Sequence, residues 1–495
     1  EWARMSTTLL NAYLEPVLVH YIGDLSDGLD DGGVETQQRF LMQSNGGVMP
    51  FKAAVAGAKT VHTLFSGPAA GAQAAAYLAA EDAKKGLVTL DMGGTSCDIA
   101  FIEGGAPLEV TEGEVARRRL DVPALDLTTI SAGGGSIAWI DGGGLLAVGP
   151  QSAGADPGPV CYGKGGENPT VTDADIACGF LNPDYFLGGA QSLDVDASKR
   201  ALDEKVGKPL GMSALDAAAG IRRIVDMRMA DEVRIFGAKR GVDPQEFTLL
   251  PFGGAGAVHA APVAEELGMT RILVPPQPGA FSALGLLCTD VVHDYIRSEL
   301  RPLDQVPPAH AEEIFRELEE RGRQELESEG MDPASATFAR ELDMRYTGQG
   351  YELRVGLDGI GSSAGGLDDV ALMEARERFD GIHARIHGHA AREKPTEVVS
   401  YRVRARVAVP KYEPVVEQNV TAAPAPEAAR KGTRDVWFTS AAAINTAIWD
   451  RNALPVGATL AGPAIVEQLD STIVVPDGWQ ADVDGYRNLI LTREL

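Results

Sequence analysis

The sequence predicts an α/β fold followed by a smaller, β-rich region. Apolar strands alternate with helical stretches over residues 1–300, and three glycine-rich turns each follow a predicted strand. The composition changes near residues 301–308, which we interpret as a linker. We therefore expect two domains, an α/β domain at residues 1–300 and a β-rich α+β domain at residues 301–495.

The composition limits the classes of partner. The chain has 495 residues, 44% of them hydrophobic and 23% charged, so it has enough apolar material for packed cores. Its formal net charge of -26 repels phosphate backbones and anionic membranes, so we expect neither nucleic acid nor a membrane as a partner. The simpler interpretation of that charge is solubility. Any bound phosphate would have to be held by backbone N–H groups and a metal ion.

Cysteine usage is compatible with a reducing compartment. Four cysteines stand apart without CxxC spacing: Cys97, Cys161, Cys178 and Cys288. This pattern argues against a zinc site or a disulfide framework and is compatible with a cytoplasmic location. The alanine-rich run at residues 69–80 is too short and too weakly apolar to span a bilayer.

The first 130 residues are predicted to contain two helices and a small sheet. Apolar positions at helical spacing predict a helix over residues 1–21. Ser66 with Pro68 provides the start signal of a second helix, which ends near residue 82. Apolar runs predict an antiparallel meander of three strands, at residues 87–91, 97–102 and 108–111.

The middle of the chain combines a long loop with regular elements. Residues 130–166 are rich in glycine, proline and serine, and a loop of this length favours a functional role. Ser213 and Asp216 form a capping-box pattern that opens a helix ending near residue 239. A series of strand, loop, helix and strand is then predicted at residues 247–252, 253–256, 258–267 and 271–274.

Beyond the linker, a charged helix precedes a mostly β region. The helix is predicted at residues 309–330. The turn Thr-Gly-Gln-Gly at residues 347–350 predicts a hairpin between strands at residues 342–346 and 351–355. Alternating apolar and basic residues predict a half-exposed strand at residues 398–409.

The strongest functional pattern is the segment DMGGTSCD at residues 91–98. A strand delivers an acidic residue to a turn whose two glycines let the backbone approach an anion closely, and two hydroxyls add donors. The candidates for phosphate binding are Gly93, Gly94, Thr95 and Ser96.

Two carboxylates flank this turn. Asp91 could hold a magnesium ion through water, and Asp98 could orient a water molecule or the loop itself. Asp91, Thr95 and Asp98 are therefore the catalytic candidates, and Asp91 is the metal candidate. The alternative is an ordinary hairpin tip, but two acids around Gly-Gly-Thr-Ser lead us to favour phosphate binding.

Two further glycine turns are weaker candidates. The segment SAGGGS at residues 131–136 permits positive φ and N–H donation to an anion, with a flexible linker as the alternative. The segment FGGAGAVH at residues 252–259 joins a strand to a helix, which is a common way to seat a nucleotide. His259 would lie near the helix N-terminus as a neutral imidazole, and we expect it to be structural. The candidate glycines are Gly133, Gly134, Gly135, Gly253, Gly254 and Gly256.

Glycine turns on strand–turn–strand and strand–turn–helix units are the arrangement of the actin-like ATPase superfamily, which has a ribonuclease H-like fold. The chain resembles the hydantoinase A and 5-oxoprolinase family almost from end to end. The number and order of matching segments make this resemblance far more specific than any single motif. In chain order they are EWARMSTTLLNAY at 1–13, MQSNGGVM at 42–49, SGPAAG at 66–71, DMGGTSCD at 91–98, SAGGGS at 131–136, SAGADPGPVCYG at 152–163, PTVTDADI at 169–176, FGGAGAVHA at 252–260, PGAFSALGLL at 278–287 and EQLDSTIVVPDGW at 467–479.

The resemblance implies ATP-dependent opening of a cyclic amide such as 5-oxoproline or a hydantoin, with ATP and Mg²⁺ as cofactors. An amide carbonyl is a poor electrophile, and phosphorylating its oxygen creates an imidate that water can attack. By this resemblance Asp91 would serve the metal, residues 93–96 would hold the phosphates, and residues 253–256 would face the adenosine. A companion subunit of the hydantoinase B type is also implied.

Two features depart from the family pattern. Members usually carry an earlier domain with its own Asp-x-Gly-Gly-Thr loop, and no such segment precedes Glu1. We therefore expect an actin-like domain that lacks its N-terminal lobe, either as a fragment or with that half supplied by a partner. Ala257 stands where relatives commonly have proline, which is a minor change.

Several alternatives stay open at this point. The protein could be the ATP-using subunit of an acetone or acetophenone carboxylase, in which an enol oxygen is phosphorylated, or a nucleotide-binding scaffold without turnover. Asp156, Asp173 and Asp175 could bind a cation or contact a partner subunit. Equally, Asp156 could lie in a rigid proline turn and Asp173 could cap a helix.

Overall fold

The computed structural model describes residues 2–36, 38–55, 59–110, 113–115, 118–360, 366–418 and 420–494. They form two compact units, each assembled from three stretches of the chain. Unit 1 contains Glu1–Ser66, Val110–Ala124 and Thr289–Lys411, and unit 2 contains Gly67–Glu109, Leu125–Cys288 and Tyr412–Leu495. A division of the sequence at residue 300 stays a prediction, and it falls inside the strand Val291–Pro302 of unit 1.

Unit 2 is built on a ten-stranded mixed sheet. Strand Leu87–Met92 lies near one end, antiparallel to Cys97–Glu103 and parallel to Thr248–Phe252. The order across the sheet is Leu127–Ile130, Cys97–Glu103, Leu87–Met92, Thr248–Phe252, Arg271–Val274, Leu489–Thr492, Gln480–Val483, Ala458–Ala461 and Ala423–Pro424, with Ala106–Pro107 paired to Cys97–Glu103. Two smaller sheets join Ser136–Ile140 with Leu146–Ser152, and Arg430–Val436 with Ile444–Asp450, Ala464–Glu467 and Thr472–Val475.

The helices of unit 2 pack on this sheet through small and branched apolar side chains. Ile221 and Val225 of the longest helix share one buried core with Val88 and Leu90 of the sheet. That helix begins after Ser213, whose side chain and that of Asp216 form a reciprocal capping box. The α-helices are Ser66–Leu78, Ala80–Lys85, Val171–Ala177, Val195–Leu202, Lys208–Leu210, Ala214–Ala238, Gly253–Leu267 and Phe281–Gly285.

Unit 1 contains a six-stranded sheet covered by helices. Its order is Phe40–Met42, Val48–Pro50, Val291–Pro302, Thr396–Val407, Ala336–Tyr346 and Leu353–Gly356. Its α-helices are Trp2–Asp31, Phe51–Val55, Pro308–Ser328 and Asp369–His387, and Gly113–Val115 pairs with Arg118–Leu120. The chain also forms the short strands Glu109–Val110 and Ala124–Leu125. Across the described residues, no helix is both long enough and apolar enough to cross a bilayer.

Most predicted elements are confirmed, including the mixed α/β class, the capping box and the hairpin at Ala336–Tyr346 and Leu353–Gly356. Three predictions are wrong. The third strand of the meander is Ala106–Pro107, whereas the strand predicted at 108–111 is present as Glu109–Val110 but is not paired with Cys97–Glu103; residue 111 lies outside the described residues. Residues 253–256 form the first turn of a helix rather than a loop. The stretch 130–166 includes a hairpin whose glycine-rich surroundings hid its strands.

Helix Phe281–Gly285 approaches helix Ser66–Leu78 so closely that only glycine fits at Gly285. A Cβ atom there would lie 1.9 Å from the carbonyl oxygen of Ala70. We expect Gly285→Ala to force a backbone shift and to lower the free energy of unfolding by about 1–3 kcal/mol. Thermal unfolding measures this.

Gly381→Ala is the matched control, since a Cβ at this helical glycine meets no atom within 4 Å. It should be neutral or stabilising by up to about 1 kcal/mol, because alanine is the better helix former. Equal stability of the Gly285→Ala variant and the wild type would refute the close packing.

Candidate functional site

Unit 2 contains an open cavity onto which the three glycine turns converge. Its walls come from segments that are far apart in sequence. The lining residues are Gly93, Gly94, Gly134, Tyr162, Thr172, Asp175, Leu181, Asn182, 185–187, Gly254, Ala255, Val258 and 467–472.

The turn after strand Leu87–Met92 presents free backbone donors beside this cavity. The amide of Gly93 donates to the Ser96 carbonyl at 3.1 Å and closes the turn. In the described part of the chain, the amides of Gly94, Thr95 and Ser96 have no acceptor. Consecutive free N–H groups in a turn bind anions. The turn is therefore suited to a phosphate group.

Asp91 and Asp98 face each other across the base of this turn as a cross-strand pair. Burial, followed by the charge of Asp98, raises the pKa of Asp91 to about 6, although the Ser282 hydroxyl donates to it at 3.1 Å. Burial also raises the pKa of Asp98, against the opposing effect of a hydrogen bond from Thr129. A divalent cation would relieve this repulsion, so the pair fits a magnesium ion.

The second glycine turn supports the first. Its amides are all used within the protein: Gly133 donates to the Ser136 hydroxyl, Gly134 to the Gly93 carbonyl and Gly135 to the Gly94 carbonyl. A Cβ on Gly133 would lie 2.6 Å from the Thr95 nitrogen, so glycine permits this backbone contact. In this conformation the second turn holds the first in place, and its amides do not face an anion.

The third glycine segment is the N-terminus of helix Gly253–Leu267. Gly253 has a φ of +76°, and a Cβ there would lie 2.4 Å from the Met92 carbonyl oxygen. The helix start therefore lies against the end of the strand that carries Asp91. No side chain caps this helix, and the first N–H groups of a helix have no intrahelical acceptors. Gly254 and Ala255 bring this electropositive end to the cavity wall.

A buried group of four charged side chains, which we call the charge quartet, lies behind the cavity: Asp175, Arg222, Asp226 and His259. Asp175 reaches the cavity wall and pairs with Arg222. The His259 Nδ1 donates to Asp226 at 2.6 Å, and its Nε2 lies 3.4 Å from Asp175. With His259 protonated, the two positive and two negative charges balance.

The expectation of a neutral His259 is wrong. Burial lowers its pKa, but Asp175 and Asp226 together outweigh burial and raise the pKa to about 9. The helix N-terminus was the only influence visible in the sequence, and both carboxylates come from other helices. Burial raises the pKa of Asp175, but Arg222 and then His259 reverse that effect and lower it.

Asp173 acts as a helix cap. Thr170 and Asp173 form a capping box on helix Val171–Ala177, and the Asp173 carboxylate also accepts from the Val160 and Cys161 amides and the Ser198 hydroxyl. Its oxygens are thus used within the fold, which favours the structural interpretation over a cation site.

The structure brings some predicted residues to the cavity and places others behind its wall. Gly93, Gly94, Gly134, Gly254 and Asp175 line it. The predicted residues that do not line it are Asp91, Thr95, Ser96, Asp98, Gly133, Gly135, Gly253 and Gly256. Of the latter, the Thr95 hydroxyl lies 3.5 Å from the Ser152 hydroxyl, and Asp91 lies against the helix start at Gly253, where a Cβ would come within 2.7 Å of its carboxylate.

Sequence reasoning missed an aromatic wall and a loop from the C-terminal region. Tyr162 and Phe186 have ring centroids 5.7 Å apart, and the Lys431 ammonium lies 3.4 Å from the centroid of the Tyr185 ring. In residues 467–472, Asp470 accepts a hydrogen bond from the Gly279 amide at 2.8 Å. The signal for this loop was the family-like segment EQLDSTIVVPDGW at residues 467–479, which gives no indication of its position in the fold.

Comparisons with known proteins place the chain in a family. A model described as Hydantoinase/oxoprolinase matches residues 4–295, and one described as Hydantoinase/oxoprolinase C-terminal domain matches residues 307–494. The caprolactamase subunit alpha of Pseudomonas jessenii is 34% identical over 99% of this chain and 70% of its own length. The acetophenone carboxylase gamma subunit of Aromatoleum aromaticum is 33% identical over 99% of this chain and 67% of its own length.

A solved structure agrees with these comparisons. Nucleotide-free acetone carboxylase superimposes with a TM-score of 0.83 and 28% sequence identity, covering 100% of this chain and 70% of that chain. The likeness extends over both compact units.

The charge quartet should make stability depend on pH. The folded-state pKa of His259 lies above the ordinary histidine value of 6.5, so its contribution is complete below pH 6.5 and is lost as the pH rises through about 9. We expect His259→Gln to lower the free energy of unfolding by on the order of 3 kcal/mol at pH 6 and by clearly less at pH 9.5.

Urea unfolding at the two pH values measures this difference. His20→Gln, at an exposed position on helix Trp2–Asp31, is the control and should change stability little at either pH. A loss of stability in His259→Gln that is the same at both pH values would show that His259 carries no proton-linked charge in the fold.

Proposed function

Because this chain belongs to the hydantoinase/oxoprolinase family, we propose that it hydrolyses a cyclic amide of the 5-oxoproline or hydantoin type at the expense of ATP. One observation carries the proposal. Gly94 and the uncapped N-terminus of helix Gly253–Leu267 line a single cavity, and the free amides of Thr95 and Ser96 follow Gly94 in the same turn. The free turn amides suit a polyphosphate in a chain whose net charge is -26.

The proposed reaction transfers the terminal phosphoryl group of ATP to the amide oxygen. The bond from phosphorus to the ADP oxygen breaks, and a bond to the carbonyl oxygen forms, which makes the ring carbon electrophilic. Water adds to that carbon, the C–N bond breaks, and the nitrogen takes a proton. A second water then releases inorganic phosphate and leaves a free carboxylate.

In this proposal the chain's own residues position and neutralise the phosphates. The amides of Gly94, Thr95 and Ser96 hold phosphate oxygens, and the helix start at residues 253–256 faces the adenosine. The turn at residues 133–135 fixes the first turn, so that its donors are already oriented before the nucleotide binds.

Asp91 and Asp98 complete the proposed site. Asp91 would hold magnesium, whose charge neutralises the phosphates during transfer. Asp98 is the candidate for orienting the first water. Thr95 is part of the turn, and its hydroxyl is the candidate for contacting a phosphate.

In keeping with the strand–turn–strand and strand–turn–helix units around the cavity, we assign unit 2 to the actin-like ATPases. We further propose a companion subunit of the hydantoinase B type, since the caprolactamase relative is itself a subunit.

A second candidate function is the ATP-using subunit of a ketone carboxylase. The likeness to an acetophenone carboxylase subunit and to acetone carboxylase favours it. There the same phosphoryl transfer would go to an enol oxygen, so the nucleotide site would be unchanged and the acceptor would differ.

ADP release distinguishes these functions. We expect the purified full-length protein, supplied with its companion subunit, to release ADP faster when 5-oxoproline or hydantoin is added, because phosphoryl transfer needs an acceptor. Stimulation by acetophenone alone would identify the carboxylase function. ATP binding without stimulation by any of the three compounds would identify a scaffold.

Asp91→Ala tests the metal assignment. We expect a fall of at least about 100-fold in stimulated ADP release with an unchanged fold, because the phosphate charge would lose its counter-ion. Circular dichroism verifies the fold, and Asp304→Ala, at an exposed position in unit 1, serves as a control with full activity. Normal turnover in Asp91→Ala would remove Asp91 from the mechanism.

A further inference from the structure

The cavity of unit 2 is lined by two chemically different groups of residues, and the proposed reaction uses only one of them. The glycine turns and the helix start contribute backbone groups, which suit phosphates. The other group consists of apolar and aromatic side chains that no step of the reaction uses. They are Tyr162, Leu181, Tyr185, Phe186, Leu187 and Leu469.

Three rings of this group, which we call the aromatic wall, are held by the fold: Tyr162, Tyr185 and Phe186. Tyr162 and Phe186 pack against a small core of buried side chains, with their ring centroids 5.7 Å apart. The Tyr185 ring is contacted by the Lys431 ammonium, 3.4 Å from its centroid. Aromatic side chains offer a large apolar surface at a low cost in conformational entropy, so the wall suits a flat, uncharged ligand group.

The charged residues that line the cavity are all acidic. They are Asp175, Glu467 and Asp470, and no described lysine, arginine or histidine lines it. Asp175 belongs to the balanced charge quartet, and Glu467 accepts from Lys431 at 2.6 Å and from Arg434 at 2.9 Å. The cations that balance these two acids do not line the cavity, so they are not available to a ligand.

Asp470 differs from the other two acids because it forms no ion pair within the described ranges. It is half-buried, and its carboxylate accepts from the Gly279 amide at 2.8 Å and from the Gln468 side-chain amide at 2.5 Å. These neutral donors hold the carboxylate in place without removing its charge. A negative group on a ligand would therefore be repelled at this part of the wall.

Two side-chain donors of the cavity are already in use. The Asn182 amide donates to the Glu467 carboxylate at 3.1 Å. The Thr172 hydroxyl donates to the Gly134 carbonyl at 2.9 Å. A ligand carboxylate would therefore lose hydration at this wall without gaining a cation in return, which costs binding free energy.

We propose that the acceptor ring lies on the aromatic wall and that the acidic residues select against an acceptor with a carboxylate. The inference rests on the proposed function and narrows its substrate class to uncharged cyclic amides, such as an unsubstituted lactam or hydantoin. 5-Oxoproline is then a poor substrate, because its carboxylate would be desolvated beside Asp470. The free turn amides offer no alternative, since the phosphates of ATP occupy them.

Two pairs of compounds test this selection. 2-Pyrrolidinone is 5-oxoproline without its carboxylate, and hydantoin is hydantoin-5-acetate without its carboxymethyl group. The assay is ADP release by the full chain with its companion subunit. For whichever ring is turned over, we expect kcat/KM of the charged member to be at least tenfold below that of the uncharged member.

The outcomes separate this inference from the proposed function. A charged member that is turned over as well as its uncharged counterpart, or better, would overturn the inference and leave the function standing. No stimulation of ADP release by any of the four compounds would refute the function and the inference with it.

Asp470→Asn tests the source of the selection, since asparagine removes the charge and keeps one acceptor oxygen. The ratio of kcat/KM for the uncharged member to that for the charged member should fall at least threefold. Asp477→Asn is the matched control, because Asp477 is exposed and lies outside the cavity wall. A ratio that Asp470→Asn leaves unchanged would contradict selection by this carboxylate.

Phe186→Leu tests the position of the acceptor, because leucine keeps an apolar side chain but removes the ring. We expect KM for the uncharged amide to rise at least threefold and KM for ATP to change less than twofold. Phe438→Leu is the control, since its ring packs against Phe180 at 5.3 Å and does not line the cavity. A rise in KM for ATP alone would assign the wall to the adenine ring, and unchanged values of both constants would remove the wall from binding; either result overturns the inference.

Discussion

The arrangement of unit 2 depends on backbone segments that approach one another without side chains between them. Gly133 lies against the turn at Gly94, and Gly253 lies against the Met92 carbonyl. At each contact a Cβ atom would come within 2.6 Å of main-chain atoms. Two hydrogen bonds from the second turn then fix the carbonyls of the first. The result is a nest in which the amides of Gly94, Thr95 and Ser96 have no acceptor among the described residues.

Charge is arranged around this nest in two ways. Asp91 and Asp98 are left with raised pKa values and mutual repulsion, an arrangement that costs stability and favours a cation. The charge quartet behind the cavity is instead balanced, so that Asp175 can be held ionised at the wall by buried cations. The Asp91–Asp98 pair is therefore suited to bind a cation, and the charge quartet supports the cavity wall.

Local patterns in the sequence were sufficient for most elements and for the position of the first glycine turn between two strands, because that turn lies within eight consecutive residues. They were insufficient where partners are distant. The carboxylates that charge His259 lie 33 and 84 positions away, and the loop at residues 467–472 reaches the cavity from the end of unit 2. The helix start at Gly253 was missed because glycine disfavours helices, whereas here close packing outweighs propensity.

The last strand of unit 2 has a consequence for synthesis of the protein. Leu489–Thr492 lies between Arg271–Val274 and Gln480–Val483 in the interior of the sheet. On the ribosome, strand Arg271–Val274 must wait for more than 200 further residues before its neighbour exists, roughly 10–45 s at ordinary elongation rates. During that interval its unpaired edge is exposed to other nascent chains, so we expect unit 2 to need a chaperone while it is being made.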